Sequence, residues 1–184
     1  MSIRGLQTLP SAIATLSVLF ALHVPVYGYA SRPESPELTQ LLAAANDEAT
    51  ELAGDADEMQ VLVNGDANWL SHALLLAKIK AHVDNMALII DKLSKAQKSG
   101  SALQEDATNQ MLSLVKQLSA NTTAAINYLN QNKTRPTSEV YAEYLSRNAE
   151  AARQLSSMIS SLIDYETSME EIAKLKSKIG ATSD

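Results

Sequence analysis

Apolar residues recur along this chain in four segments of helical period, separated by short polar breaks. In the first, Leu38, Leu42, Ala45, Ala49, Leu52, Ala56, Met59 and Val63 fall at the spacing that aligns side chains on one face of an α-helix. A second stripe runs Trp69, His72, Leu76, Ile79, Val83, Met86, Ile90, Leu93. A third is formed by Leu103, Ala107, Met111, Leu114, Leu118, Ala125 and Tyr128 or Leu129. The fourth keeps a heptad series through Tyr141, Tyr144, Asn148, Ala151, Leu155, Met158, Leu162, Tyr165, Met169 and Ile172, and Leu145, Ala152 and Ile159 widen it to the face of a bundle helix.

Helix punctuation falls between these stripes. Ser35-Pro36 reads as an N-cap with Pro at the first helical position, Asn64-Gly65-Asp66 as a left-handed stop and a new cap, and Ser101 with Gln104 as a capping box. A last start at Thr137 or Ser138 follows the polar turn Asn130 to Pro136, and Gly180 lies beyond the last helix. Gly54, alone inside the first segment, is expected at a close helix contact. These signals predict helices over about 36–62, 67–98, 102–131 and 138–179. Short turns make successive helices antiparallel neighbours, so the predicted fold is all-α, an up-down-up-down four-helix bundle occupying 31–184. At 1.5 Å per residue the fourth helix reaches roughly 60 Å, and its last turns should overhang the bundle or bend over its end. The overhang carries Glu170, Glu171, Lys174, Lys176 and Lys178, read as a solvated, salt-bridged face.

Ahead of the bundle, residues 1–30 have the layout of a cleavable signal peptide. Arg4 stands in a short head, an apolar stretch follows from about Ala12 to Val26, and Gly28 and Ala30 put small residues at the −3 and −1 positions. Cleavage before Ser31 sends the chain to the periplasm or outside the cell and leaves no stable membrane span.

Composition narrows the chemistry. The chain has no Cys, which excludes disulfides, thiolate metal sites, covalent c-type haem and a Cys nucleophile. Net charge is −6, and loss of Arg4 with the leader leaves 14 basic residues against 21 acidic ones, a balance that argues against a nucleic-acid partner. There is no Gly-x-Ser-x-Gly elbow and no phosphate-binding glycine loop. A di-iron carboxylate centre needs Glu-x-x-His pairs, whereas the residues three before His72 and His82 are Trp69 and Ile79. Asn121-Thr122-Thr123 and Asn132-Lys133-Thr134 match the glycosylation sequon.

One end of the predicted bundle could hold a ligand. The topology gathers Met59, Trp69, His72, Tyr128, Tyr141 and Tyr144 there, aromatic rings with polar tips that either line a small-molecule or haem pocket or plug the bundle end. His82 is expected at an edge position with Asp84 or water as its partner, and Asn121 and Asn148 at core positions that fix register.

Trp69-Leu70-Ser71-His72 leading to Ile79-Lys80-Ala81-His82-Val83, with Ala120-Asn121-Thr122-Thr123-Ala124-Ala125-Ile126 and Tyr141-Ala142-Glu143-Tyr144-Leu145, resembles a set of secreted bacterial helical-bundle proteins of unassigned function. The resemblance implies a bundle fold and export and lends no chemistry. In layout the chain is also similar to haem-binding cytochrome bundles, but it lacks a Cys-x-x-Cys-His attachment and has no His near the end of the fourth helix. The expected function is therefore non-enzymatic and needs no cofactor: an exported module that binds another protein or a second copy of itself. The alternative is a small-ligand or haem-binding bundle. Helix 2 adds to the first reading, since its runs Ala73 to Ala77 and Ala87 to Ile90 are more apolar than one core stripe requires; this predicts a central position or a partner on a second face.

Overall fold

The computed structural model describes residues 36–65, 68–96, 102–133 and 138–181. Among them are four helices and no strand: α1 (Pro36–Val63), α2 (Trp69–Ala96), α3 (Ala102–Gln131) and α4 (Glu139–Ala181). This is the all-α, four-helix architecture expected from the stripes. The leader and the expected caps at Ser35, Asp66 and Ser101 lie outside the described residues.

Where helix ends are described, local hydrogen bonding explains them. At the end of α1 the Asn64 and Gly65 amides each donate at 3.2 Å, to Val61 O and Leu62 O, while Asn64 Nδ2 caps Gln60 O at 3.0 Å. Gly65 does not take a positive φ, so the expected left-handed stop is replaced by a tightened last turn with three-residue bonds. Asn68 rather than Asp66 caps α2, its Oδ1 accepting from the Ser71 amide at 3.1 Å, and the helix accordingly starts later than 67. Ser138 caps α4 as expected, with Oγ accepting from the Tyr141 amide at 3.1 Å. At its far end α4 continues through Gly180, also without a positive φ, rather than stopping before it.

α1 packs on α2 and α4, and α3 packs on the same two, so each helix has two neighbours around one apolar core. The stripes of α1 and α2 are buried almost as read, from Leu38 to Met59 and from His72 to Leu93. That of α3 is rotated: Gln104, Thr108, Val115, Thr122 and Leu129 face inward beside Met111, Leu118 and Ala125, while Ala107, Leu114 and Tyr128 are half-buried. The rotation is tolerated because the inward polar groups are bonded internally, Thr108 Oγ1 to Gln104 O at 3.0 Å and Asn148 Nδ2 to Thr122 Oγ1 at 3.0 Å. α2 is not central; it occupies one corner, and Leu74 and Leu88 of its apolar runs face solvent. Gly54 is exposed, and a Cβ there would meet nothing within 4 Å, so it marks no close helix contact.

Cross-helix pairs fix the relative register. Gln104 Nε2 donates to Glu166 Oε1 at 2.9 Å, and moving forward along α3 to Thr122 moves the partner on α4 back to Asn148. The same holds between α1 and α2, where Glu48 meets His82 and Asp55 meets Lys78. α4 is bound to α1 through Arg153–Asp57 and Ser160–Asn46. Leu162 is the last buried residue of α4, and the helix continues from there to Ala181. No helix among the described residues is long and apolar enough to cross a membrane.

Candidate functional site

The last turns of α1 and α3 and the first turns of α2 and α4 do bring the expected aromatic residues together. His72 and Tyr141 are fully buried, with Tyr141 Oη 3.3 Å from His72 Nδ1 and ring centroids 5.6 Å apart. Tyr128 stacks on the other side of Tyr141 at 5.5 Å. Trp69 Nε1 donates to Leu129 O at 3.1 Å, tying the start of α2 to the end of α3, and Lys133 Nζ lies 5.1 Å from the indole centroid. Met59 is buried in the same core, and Tyr144 packs half-buried against it.

This arrangement is packed rather than open. The Tyr141 ring lies between His72 and Tyr128, and the Trp69 N–H and Tyr141 hydroxyl are turned to protein partners. Burial pushes the Tyr141 phenol well above its ordinary pKa, so it holds its proton and offers a neutral donor, the opposite of the lowering that activates a tyrosine as a base. A shallow depression of about 150 Å³ lies beside the cluster, between α2 and α3, walled by Leu76, Ala77, Ile126 and Leu129 and edged by Lys80 and Asn130. Ligand pockets generally start near 300 Å³.

A second polar constellation escaped the sequence reading. His82 pairs with neither Asp84 nor solvent: Asp84 is taken by Lys80 on its own helix, at 2.5 Å. Instead His82 Nδ1 donates to Glu48 Oε1 at 2.5 Å, and Nε2 lies 3.2 Å from Asp55 Oδ2 without hydrogen-bond alignment. Asp55 is buried and accepts from Lys78 Nζ at 2.6 Å, which raises the Lys78 ammonium pKa through that bond and the Asp55 charge. The signal was present in the spacing of Glu48, Glu51 and Asp55, one flank of α1, against Lys78 and His82, one flank of α2. Placing the flanks opposite each other required the register. Among the described residues no group of three or more His, Asp or Glu side chains is arranged to hold a metal ion.

Of the two core asparagines expected, Asn148 is buried and bonded to Thr122, whereas Asn121 is only half-buried beside it. Asn132 spends its side-chain amide on Tyr128 O at 2.8 Å, closing the end of α3.

Among the described residues, the end of α4 carries a series of exposed apolar side chains. Tyr165, Ile172, Leu175 and Ile179 are 36%, 44%, 57% and 68% exposed, rising outward, with Met169 half-buried among them. Tyr165, Met169, Ile172 and Ile179 prolong the heptad series of Met158 and Leu162 beyond the bundle, and Leu175, which follows the exposed positions Ser161 and Ser168, flanks it. Comparison of the chain with protein-family models, with curated proteins and with solved structures finds no match.

Proposed function

We propose that this protein is an exported, non-enzymatic interaction module in which an antiparallel, up-down-up-down bundle forms the base and the end of α4 forms the binding surface. The observation that carries the reading is the continuation of the α4 apolar stripe, at heptad spacing, past Leu162, the last position the bundle buries. Exposed scattered apolar residues such as Leu74 and Leu88 are ordinary on any surface, but a stripe in helical register is the pattern of a helix that packs on something. The antiparallel topology is supported by the reversed order of the α3–α4 and α1–α2 pairs. Export rests on the leader pattern of residues 1–30. The aromatic end serves as a plug, a reading supported by the internal bonds of the Trp69 N–H and the Tyr141 hydroxyl.

The test places a photo-crosslinking residue at Ile172 of the full chain in its host cells, with a second at exposed Leu88 as the control. A discrete adduct specific to 172 supports the interaction reading, and the mass of the exported chain, beginning at Ser31, supports the leader. Absence of any adduct at 172, in a protein with native helix content and melting, overturns the role of the overhang.

A further inference from the structure

The residues of the overhang are ordered symmetrically about Ile172. Tyr165 and Ile179 lie seven residues before and after it, and Met169 and Leu175 three before and after. Charges follow the same centre with their sign reversed: Glu166 mirrors Lys178 and Glu170 mirrors Lys174. The acidic residues, Glu166, Glu170 and Glu171, all precede Ile172, and the basic ones, Lys174, Lys176 and Lys178, all follow it.

We infer that the occupant of this surface is a second copy of the chain, its α4 lying antiparallel across a two-fold axis at Ile172. The inference rests on the reading of the overhang as a binding surface and names its partner. In this arrangement Ile172 meets its own equivalent, Tyr165 meets Ile179, Met169 meets Leu175, and the acidic half of each overhang lies along the basic half of the other. A two-fold interface uses one patch twice, so it requires this kind of self-complementarity. Parallel pairing sets Glu against Glu and Lys against Lys, and the repulsion selects the antiparallel orientation.

Length agrees with charge. α4 ends at Ala181, nine residues beyond Ile172, so the tip of the second copy comes level with Ile163, next to Leu162 where burial in the bundle stops. The overlap therefore fills the overhang and ends at the bundle. A coiled segment of about two heptads is too short to fold and pair on its own. Here each strand is already helical as the extension of a folded bundle, so pairing does not carry the nucleation cost.

The chain has no cysteine, which makes the geometry directly testable in the full protein. Under mild oxidation Ile172→Cys should form a disulfide dimer with itself. Tyr165→Cys and Ile179→Cys should each stay monomeric alone and cross-link when mixed, because each faces the other and lies roughly 20 Å from its own equivalent. In sedimentation velocity the unmodified chain should dimerise. Glu170→Lys and Lys174→Glu should each weaken the dimer by about tenfold or more, and an equimolar mixture of the two should recover it. All of these side chains are exposed, so circular dichroism should be unchanged. Self-cross-linking of Tyr165→Cys and of Ile179→Cys would establish a parallel pair and overturn the antiparallel one. A chain that stays monomeric at about 100 μM, with no disulfide at residue 172, overturns the homodimer. If residue 172 then cross-links to a different protein in cells, the interaction reading survives without it; if it cross-links to nothing, both fall.

Discussion

His82 illustrates how a side chain's role is set by a residue far away in sequence. Its neighbours Lys80 and Asp84 bond each other, and its imidazole is held by Glu48 and Asp55 of another helix. His82→Ala strips a buried bond to Glu48 and removes the imidazole beside Asp55; it should lower stability by about 1–3 kcal/mol, measured as a reduced urea midpoint with an unchanged slope. Tyr141 carries a pH signature. The phenol pKa is raised by burial, so above about pH 10 the unfolded chain ionises there while the folded chain does not. Its contribution is thus fully present below that pH and is lost as pH rises toward the raised folded value. Tyr141→Phe should flatten this part of the alkaline loss, seen by comparing urea midpoints at about pH 9 and pH 11. His82, expected at an edge position, is buried; the inward position of Tyr141 was legible from helical spacing, and so was its meeting with His72. The partners of His82 were not, because lateral pairs between helices depend on rotation and register, which one residue's turn of a helix is enough to change.

At the level of the element, the apolar periods of α1 and α2 translated directly into burial, since most inward slots there are filled by side chains that gain from leaving water, with Asp55, His72 and His82 the buried polar exceptions. α3 translated less well. Thr108 and Thr122 look like surface residues by composition, yet hydroxyls that bond within the helix or to Asn148 can be buried, and the helix turns to accommodate them. Gly54 misled in the opposite direction: the unbroken stripe around it suggested packing, but it lies on the solvent face of α1. With open space where a Cβ would go and ordinary helical backbone, Gly54→Ala should stabilise the protein by about 0.5–1 kcal/mol, read as a higher thermal midpoint. A close packing role for Gly54 predicts the reverse sign.

For the molecule as a whole, helix number, order and the unequal length of α4 followed from the placement of Pro, Gly and polar turns, because these residues are costly inside helices. The gathering of aromatic residues at one end followed from the same order. What the pattern alone did not give was the detailed packing of that end, where Tyr128 stacks on Tyr141 and the indole bonds Leu129 O. The two ends of the bundle thus differ: one is closed by its own side chains, the other continues as a single helix. Since Leu162 is the last buried residue of α4 among the described residues and the bond of Glu166 to Gln104 of α3 is retained, a chain ending after Thr167 should unfold at the same urea concentration as the full protein. A lower midpoint would mean that the overhang folds back and contributes to the base.

The tryptophan at the closed end gives the molecule an internal reporter. Trp69 is the one indole in the chain, and its N–H is fixed to the α3 backbone while Lys133 sits over its ring. Its emission therefore records whether α2 and α3 remain clasped and is insensitive to events at the far end of α4. The overhang carries no indole, so its occupation leaves this emission unchanged. Opening of the bundle can therefore be followed without labels, and pairing at the overhang is recognised as association that leaves the indole signal untouched.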